Sequence, residues 1–170
     1  MESYMNRISN TGIVPVVKIL EKEDAYPLAK ALLNGGIDVI EVTYRSEHAT
    51  SAIQTISKEL PDMLVGAGTV LSVDQAKEAV EAGAKFIITP GFNTKVVQWC
   101  LDHDVEVYPG VSTASEVEMA LSMGLTQLKF FPAESSGGAK KLKDLSAPYA
   151  NVHFMPTGGI NTKNMHDYLA

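Results

Sequence analysis

Short apolar runs rich in β-branched and aromatic residues recur along the whole chain, at Ile13–Lys18, Asp38–Tyr44, Leu64–Val70, Phe86–Thr89, Val105–Tyr108, Thr126–Phe131 and Val152–Pro156. Each has the length and composition of a strand. Between them lie segments with helical apolar spacing, such as Asp24–Leu33, Val73–Ala82 and Ser115–Met123, whose charged residues fall mostly on the opposite face. Three helices end on a glycine just before the next strand, in Asn34-Gly35-Gly36, Glu81-Ala82-Gly83 and Ser122-Met123-Gly124. Glycine at that position accepts the left-handed conformation and stops the helix. One βα unit is thus repeated, with no Pro/Gly/Ser-rich linker or shift in composition. The pattern predicts an α/β fold with a parallel sheet closed or nearly closed on itself, a single (β/α) barrel domain over residues 1–170.

A doubly wound open sheet is the structural alternative. That fold favours a glycine fingerprint after its first strand to admit a pyrophosphate, and Ile19-Leu20-Glu21-Lys22 contains no glycine. Small residues and glycines instead follow other strands, at Gly66-Ala67-Gly68-Thr69, Pro90-Gly91, Pro109-Gly110 and Pro156-Thr157-Gly158-Gly159. In a βα barrel those strand ends form the active face. A (β/α)₈ barrel of the TIM type needs eight strands, typically roughly 200 residues or more. This sequence stops at Asp167-Tyr168-Leu169-Ala170, inside what reads as the seventh helix, so the eighth strand and helix are expected to be absent.

At 170 residues and 45% hydrophobic composition the chain is large enough to bury one substantial core. The formal charge of −6 and the lack of any basic run longer than Lys140-Lys141 argue against a nucleic-acid or anionic-membrane partner. Residues 1–12 lack a signal-peptide pattern, and no apolar stretch approaches the roughly 18 residues needed to span a bilayer. A cytoplasmic protein is expected. The single cysteine, Cys100, reads as a buried helix residue rather than a metal ligand or redox centre.

Strand alternation in Thr126–Pro132 puts Gln127, Lys129 and Phe131 on one face and Leu128 and Phe130 on the other. Lys129 would then point into the barrel. A lysine among aromatic and aliphatic residues is costly to bury charged, and a neutral amine is the species that attacks a ketone. The same residue read alone fits a snorkelling lysine or a structural ion pair equally well. In Ile40–Arg45 the alternation places Glu41, Thr43 and Arg45 together. Three polar residues on one side of an apolar strand are hard to accommodate in a core, whereas a barrel lumen would receive them. Glu41 would lie within reach of Lys129 as a proton shuttle, and Arg45, one of two arginines in the chain, would grip a carboxylate. A Glu41–Lys129 ion pair without catalysis is the alternative.

The Pro156–Gly159 turn leaves backbone N–H groups open to an anion, as phosphate-binding turns at this barrel face do, or is simply a tight loop requiring positive φ. His48, His103, His153 and His166 are not at metal-ligand spacing, so no metal is inferred. The stretch Glu134–Gly138 reads as a loop leading to the sixth helix.

Glu41-Val-Thr-Tyr-Arg45, Val65-Gly-Ala-Gly-Thr69, Ile88-Thr-Pro-Gly91, Leu128-Lys-Phe-Phe-Pro-Ala-Glu134 and Pro156-Thr-Gly-Gly159 together resemble the bacterial 2-keto-3-deoxy-6-phosphogluconate aldolases. Many of these also act as 4-hydroxy-2-oxoglutarate aldolases. The resemblance covers most of the chain from Val14 onward, and the Lys129 and Glu41 motifs are its specific parts. It implies a class I aldolase, Lys129 the Schiff-base lysine and Glu41 the general acid/base acting through water. Arg45, Thr69 and Thr157 would contact the pyruvyl carboxylate, Phe131 and Pro90 would line the pocket, and Gly158 and Gly159 would hold the phosphate. It further implies a small 2-keto acid substrate, no cofactor beyond the covalent Schiff base, and a homotrimer.

Members of the family continue into an eighth strand with a Gly-Gly-Ser turn, whose serine is a second phosphate contact, and a closing helix. A substrate contact at Lys18 is a further, weaker implication. Two other functions stay open at this point: a non-catalytic barrel of the same family, and a phosphate-binding isomerase or decarboxylase barrel without imine chemistry.

Overall fold

In the computed structural model, which describes residues 4–169, the βα alternation is realised throughout. Helix α1 (Tyr4–Thr11) precedes β1 (Val16–Val17), α2 (Ala25–Asn34), β2 (Val39–Thr43), α3 (Ala49–Glu59), β3 (Leu64–Gly68), α4 (Val73–Glu81), β4 (Phe86–Ile88) and α5 (Thr94–Asp102). Then follow β5 (Glu106–Tyr108), β6 (Gly110–Val111), α6 (Ala114–Ser122), β7 (Gln127–Phe130), α7 (Gly138–Ser146) and β8 (His153–Pro156). The chain divides into two compact units, one of Met1–Thr89 with Asn93–Val107, the other of Pro90–Phe92 with Tyr108–Ala170.

The first unit is built on a sheet in the order β1-β2-β3-β4-β5. The β1–β2, β2–β3 and β3–β4 pairs are parallel. All five residues of β2 and all five of β3 are buried, as expected of parallel strands covered on both faces. Ala52, Ile53 and Ile56 of α3, Ala76 and Ala79 of α4, and Val96, Val97 and Cys100 of α5 supply helix-side core residues at 0% exposure. The apolar stripes anticipated from the helical spacing are therefore the buried ones. Helix α1 is tied down by polar contacts: Arg7 Nε donates to Asp38 Oδ2 at 2.7 Å, Thr11 Oγ1 to Asp38 Oδ1 at 2.5 Å, and the Arg7 guanidinium also reaches the Asp62 carbonyl.

The second unit carries the sheet β6-β7-β8, parallel throughout. Its core gathers Val111, Val117, Ala120, Leu128, Phe130, Ala133, Leu145 and Val152. Thr113 and Glu116 form a capping box at the start of α6. There the pull of burial on the Glu116 carboxyl is outweighed by hydrogen bonds from Ser112 and Thr113, which hold it below the usual carboxylate range.

Three local features depart from the sequence reading. The fifth apolar run extends past Tyr108 as a second short strand, and the break falls at Pro109, which has no N–H to continue a ladder. The first run pairs over Val16–Val17 only, although the Pro15 carbonyl still accepts from Glu41 N. Residues 165–167 form a 3₁₀ turn (Met165–Asp167), not the start of a seventh α-helix. The glycine stops behave as read: Gly36, Gly83 and Gly124 all have positive φ.

Candidate active site

The residues singled out in the sequence fall into two groups, one in each unit. In the first, Glu41 is 1% and Thr43 0% exposed, although both are polar, Glu41 in the middle of β2 and Thr43 at its end. The fold makes room for the Glu41 side chain by omitting one: a Cβ on Gly68 would overlap Glu41 Oε1 and stand 2.5 Å from its Cγ. In the parallel register Glu41 lies opposite Gly66 and Thr43 opposite Gly68, so the Glu41 side chain leans along the strand to reach the Gly68 position. Thr43 Oγ1 donates to the Val17 carbonyl at 2.7 Å and accepts from Arg45 Nε at 3.2 Å. Arg45 lies just beyond the strand end and is exposed, its guanidinium steered by Thr43.

Thr69 follows the Gly68 position with φ +55°, a left-handed conformation that is rare for a β-branched residue. Such strain, where it persists, is held by its surroundings and clusters at functional sites. Val70 N donates to the Ile88 carbonyl immediately after it. At Arg45 an open groove of about 460 Å³ is lined by Tyr44, Arg45, Ser46, Glu47, Thr50, Gln75 and Glu78. Tyr44 and Thr50 share a hydrogen bond of 3.1 Å, and Thr50 Oγ1 donates to Glu78 Oε1 at 2.8 Å.

In the second unit Lys129 is 4% exposed on β7, between Gly110 and Met155 in register. Its Nζ stands 5.3 Å from the centroid of the Phe131 ring, so the same-face relation of Lys129 and Phe131 is observed. Phe131 follows the strand, its peptide bond to Pro132 being cis. Pro90 is brought to the same strand neighbourhood. A side chain at Gly110 would collide with the Pro90 carbonyl, and Gly110 is the register partner of Lys129.

The Pro156–Gly159 turn adjoins this group. Thr157 N donates to the Phe130 carbonyl at 2.9 Å, and a Cβ on Gly158 would stand 3.4 Å from the Phe131 ring. Gly158 and Gly159 have φ of +105° and +78°. The second unit thus assembles Lys129, Phe131, Pro90, Thr157 and Gly158, while Glu41, Arg45 and Thr69 belong to the first. Lys18 is exposed. Cys100 is buried in α5, and burial pushes its thiol up to about 12. Among the described residues no helix is long and apolar enough to cross a membrane.

In the sequence Gly68 and Gly110 are marked only as small residues at strand ends of the active face. Their role is close approach of another group, Glu41 at Gly68 and the Pro90 carbonyl at Gly110, and neither group is the register partner of its glycine.

The family described as KDPG and KHG aldolase matches residues 4–170. A 2-dehydro-3-deoxy-phosphogluconate aldolase of Treponema pallidum is 46% identical over 170 residues, covering 100% of this chain and 81% of that protein. A KHG/KDPG aldolase of Escherichia coli is 46% identical over 164 residues, covering 96% of this chain and 77% of that one. Among solved structures, a KDPG aldolase of Legionella pneumophila superposes with a TM-score of 0.90 at 44% identity, covering 92% of this chain and 76% of that chain. That enzyme was captured with pyruvate as a covalent carbinolamine intermediate. The fold is accordingly of the (β/α)₈ barrel type.

Proposed function

The chain belongs to the KDPG and KHG aldolase family, and from that premise we propose that it is a Schiff-base lyase, with Lys129 as nucleophile and Glu41 as acid/base. It would cleave 2-keto-3-deoxy-6-phosphogluconate to pyruvate and glyceraldehyde 3-phosphate, and 4-hydroxy-2-oxoglutarate to pyruvate and glyoxylate. The observation that carries the reading is the burial of Lys129 on β7 beside the Phe131 ring. A protein interior is a costly place for an ammonium group, and amine chemistry is a reason to keep a lysine there.

The Lys129 amine adds to the C2 ketone, and loss of water leaves an iminium. Glu41 takes the proton of the C4 hydroxyl, the C3–C4 bond breaks, and its electron pair passes into the iminium to give an enamine while the aldehyde departs. Protonation at C3 and addition of water release pyruvate and restore Lys129. The iminium serves as the electron sink, so the reading calls for no metal or other cofactor.

In this reading Arg45, Thr69 and Thr157 contact the pyruvyl carboxylate, Pro90 and Phe131 line the pocket, and Gly158 and Gly159 receive the phosphate. Supporting it are the hydrogen bond that Arg45 donates to Thr43, which orients the guanidinium, and the strained backbone of Thr69. Residues 1–170 act as one barrel domain, in a cytoplasmic homotrimer that sedimentation would register.

Borohydride reduction in the presence of pyruvate tests the chemistry. The expected result is a single covalent adduct on the peptide containing Lys129, absent in Lys129→Met. An adduct at another lysine, or turnover insensitive to borohydride, would overturn it.

A further inference from the structure

The Pro156–Gly159 turn is held by hydrogen bonds to three successive carbonyls. Ala133 N donates to the Thr157 carbonyl at 2.8 Å and Glu134 N to the Gly158 carbonyl at 3.1 Å. The side-chain amides of Asn161 and Asn164 donate to the Gly159 carbonyl at 3.2 and 3.1 Å. A trans peptide carries its N–H opposite its C=O. Three consecutive carbonyls fixed towards these donors therefore turn the N–H groups of Gly158, Gly159 and Ile160 away from them. Successive amides aimed in this way form an anion-binding concavity.

The Glu134 side chain backs the turn. A Cβ at Gly159 would stand 2.7 Å from Glu134 Cβ and 2.8 Å from Cγ, so the glycine lies directly against that side chain. The carboxylate is anchored at its far end, where Tyr168 Oη donates to Glu134 Oε1. Burial, with Glu134 beside it, pushes the Tyr168 phenol up to about 12, so it keeps the proton it donates at every physiological pH. A Cβ at Gly138 would stand 3.2 Å from Glu134 Oε1 and 3.6 Å from Tyr168 Oη, so that glycine leaves the pair its space.

We propose that Glu134 is a positioning residue for the phosphate of the substrate: braced by Tyr168, it fixes the amides of Gly158, Gly159 and Ile160 in their anion-receiving orientation and thereby sets the preference for phosphorylated over unphosphorylated 2-keto acids. This rests on the assignment of Gly158 and Gly159 to the phosphate. Glu134 touches neither the keto acid nor Lys129 in this role.

Titration of the ¹⁵N-labelled chain with inorganic phosphate, followed by the amide resonances of Gly158, Gly159 and Ile160, tests it without requiring catalysis. The expected result is saturable shifts at those amides in the wild type, affinity weakened roughly tenfold in Glu134→Ala, and near-native affinity in Glu134→Gln, whose Oε1 still accepts from Tyr168. The ratio of kcat/KM for the phosphorylated to the unphosphorylated substrate should fall in Glu134→Ala and recover in Glu134→Gln. Unchanged phosphate affinity in Glu134→Ala would overturn the proposal while leaving the phosphate assignment standing. Absence of the shifts in the wild type would overturn both. If Glu134→Ala does not fold, Tyr168→Phe carries the test, with weaker phosphate binding expected and unchanged binding overturning the role. Failure of borohydride trapping at Lys129 would defeat the aldolase chemistry alone.

Discussion

A Cβ at residue 68 would overlap Glu41 Oε1, and with Glu41 only 1% exposed the side chain has little room to retreat. Gly68→Ala is therefore expected to cost about 1–3 kcal/mol of stability and to depress turnover by misplacing the carboxylate. Thermal melts and steady-state cleavage assays check the two effects. Thr69 presents the opposite trade. Its left-handed backbone costs about 1–3 kcal/mol for a residue of its kind, so Thr69→Gly should hold or raise Tm while lowering kcat/KM for the keto acid. An unchanged kcat/KM would remove the carboxylate-contact role. At Cys100 burial raises the thiol to about 12 from an ordinary value of 9.0. The folded state disfavours the thiolate, so this residue's contribution is present below the ordinary thiol range and is lost as pH climbs from there through about 12. Alkylation of Cys100 at mildly alkaline pH should proceed only as fast as the region around α5 opens.

At the scale of elements, α1 depends on Asp38. Its carboxyl is held below the usual range, first by the Thr11 hydrogen bond, against a smaller opposing pull of burial, and then by Arg7. A lowered folded value means that stability is present above the ordinary carboxylate pKa and lost as pH falls through the folded one. The side chains of Arg7 and Asp38 are 39% and 40% exposed, so the contribution is below about 1 kcal/mol. Asp38→Asn should accordingly flatten the acid limb of the Tm–pH profile. The α1 contacts could not be read in the sequence, because Arg7, Thr11 and Asp38 are ordinary polar residues until the fold brings them together. By contrast, the faces of β2 and β7 were legible, since a two-residue period fixes which side chains share a side whatever lies around them. Hence Glu41 with Thr43, and Lys129 with Phe131, emerged correctly. The break at Pro109 was not legible, because a proline beside a glycine ends some strands and merely interrupts others.

Across the whole molecule, protection against hydrogen exchange should follow the burial of the strands. β2 and β3, buried at every position, are expected to contain the slowest amides, whereas β8, with no fully buried residue, should exchange sooner. Equal protection across the three strands would contradict this ordering. The sequence conveyed the βα order because each unit writes its own hydrophobic period and its own glycine stop. It did not convey the division into two units, since a compact unit is defined by long-range contacts that no local pattern records. That division bears on how such a chain can be rearranged. Pro90–Phe92 belongs to the second unit yet lies in sequence between stretches of the first, so the backbone passes from one unit to the other at three places. No single crossover between two homologous genes transfers either unit intact, and a chimera joined after Val107 would inherit a foreign Pro90 against its own Gly110. The two units are thus expected to diverge together, as one heritable cassette.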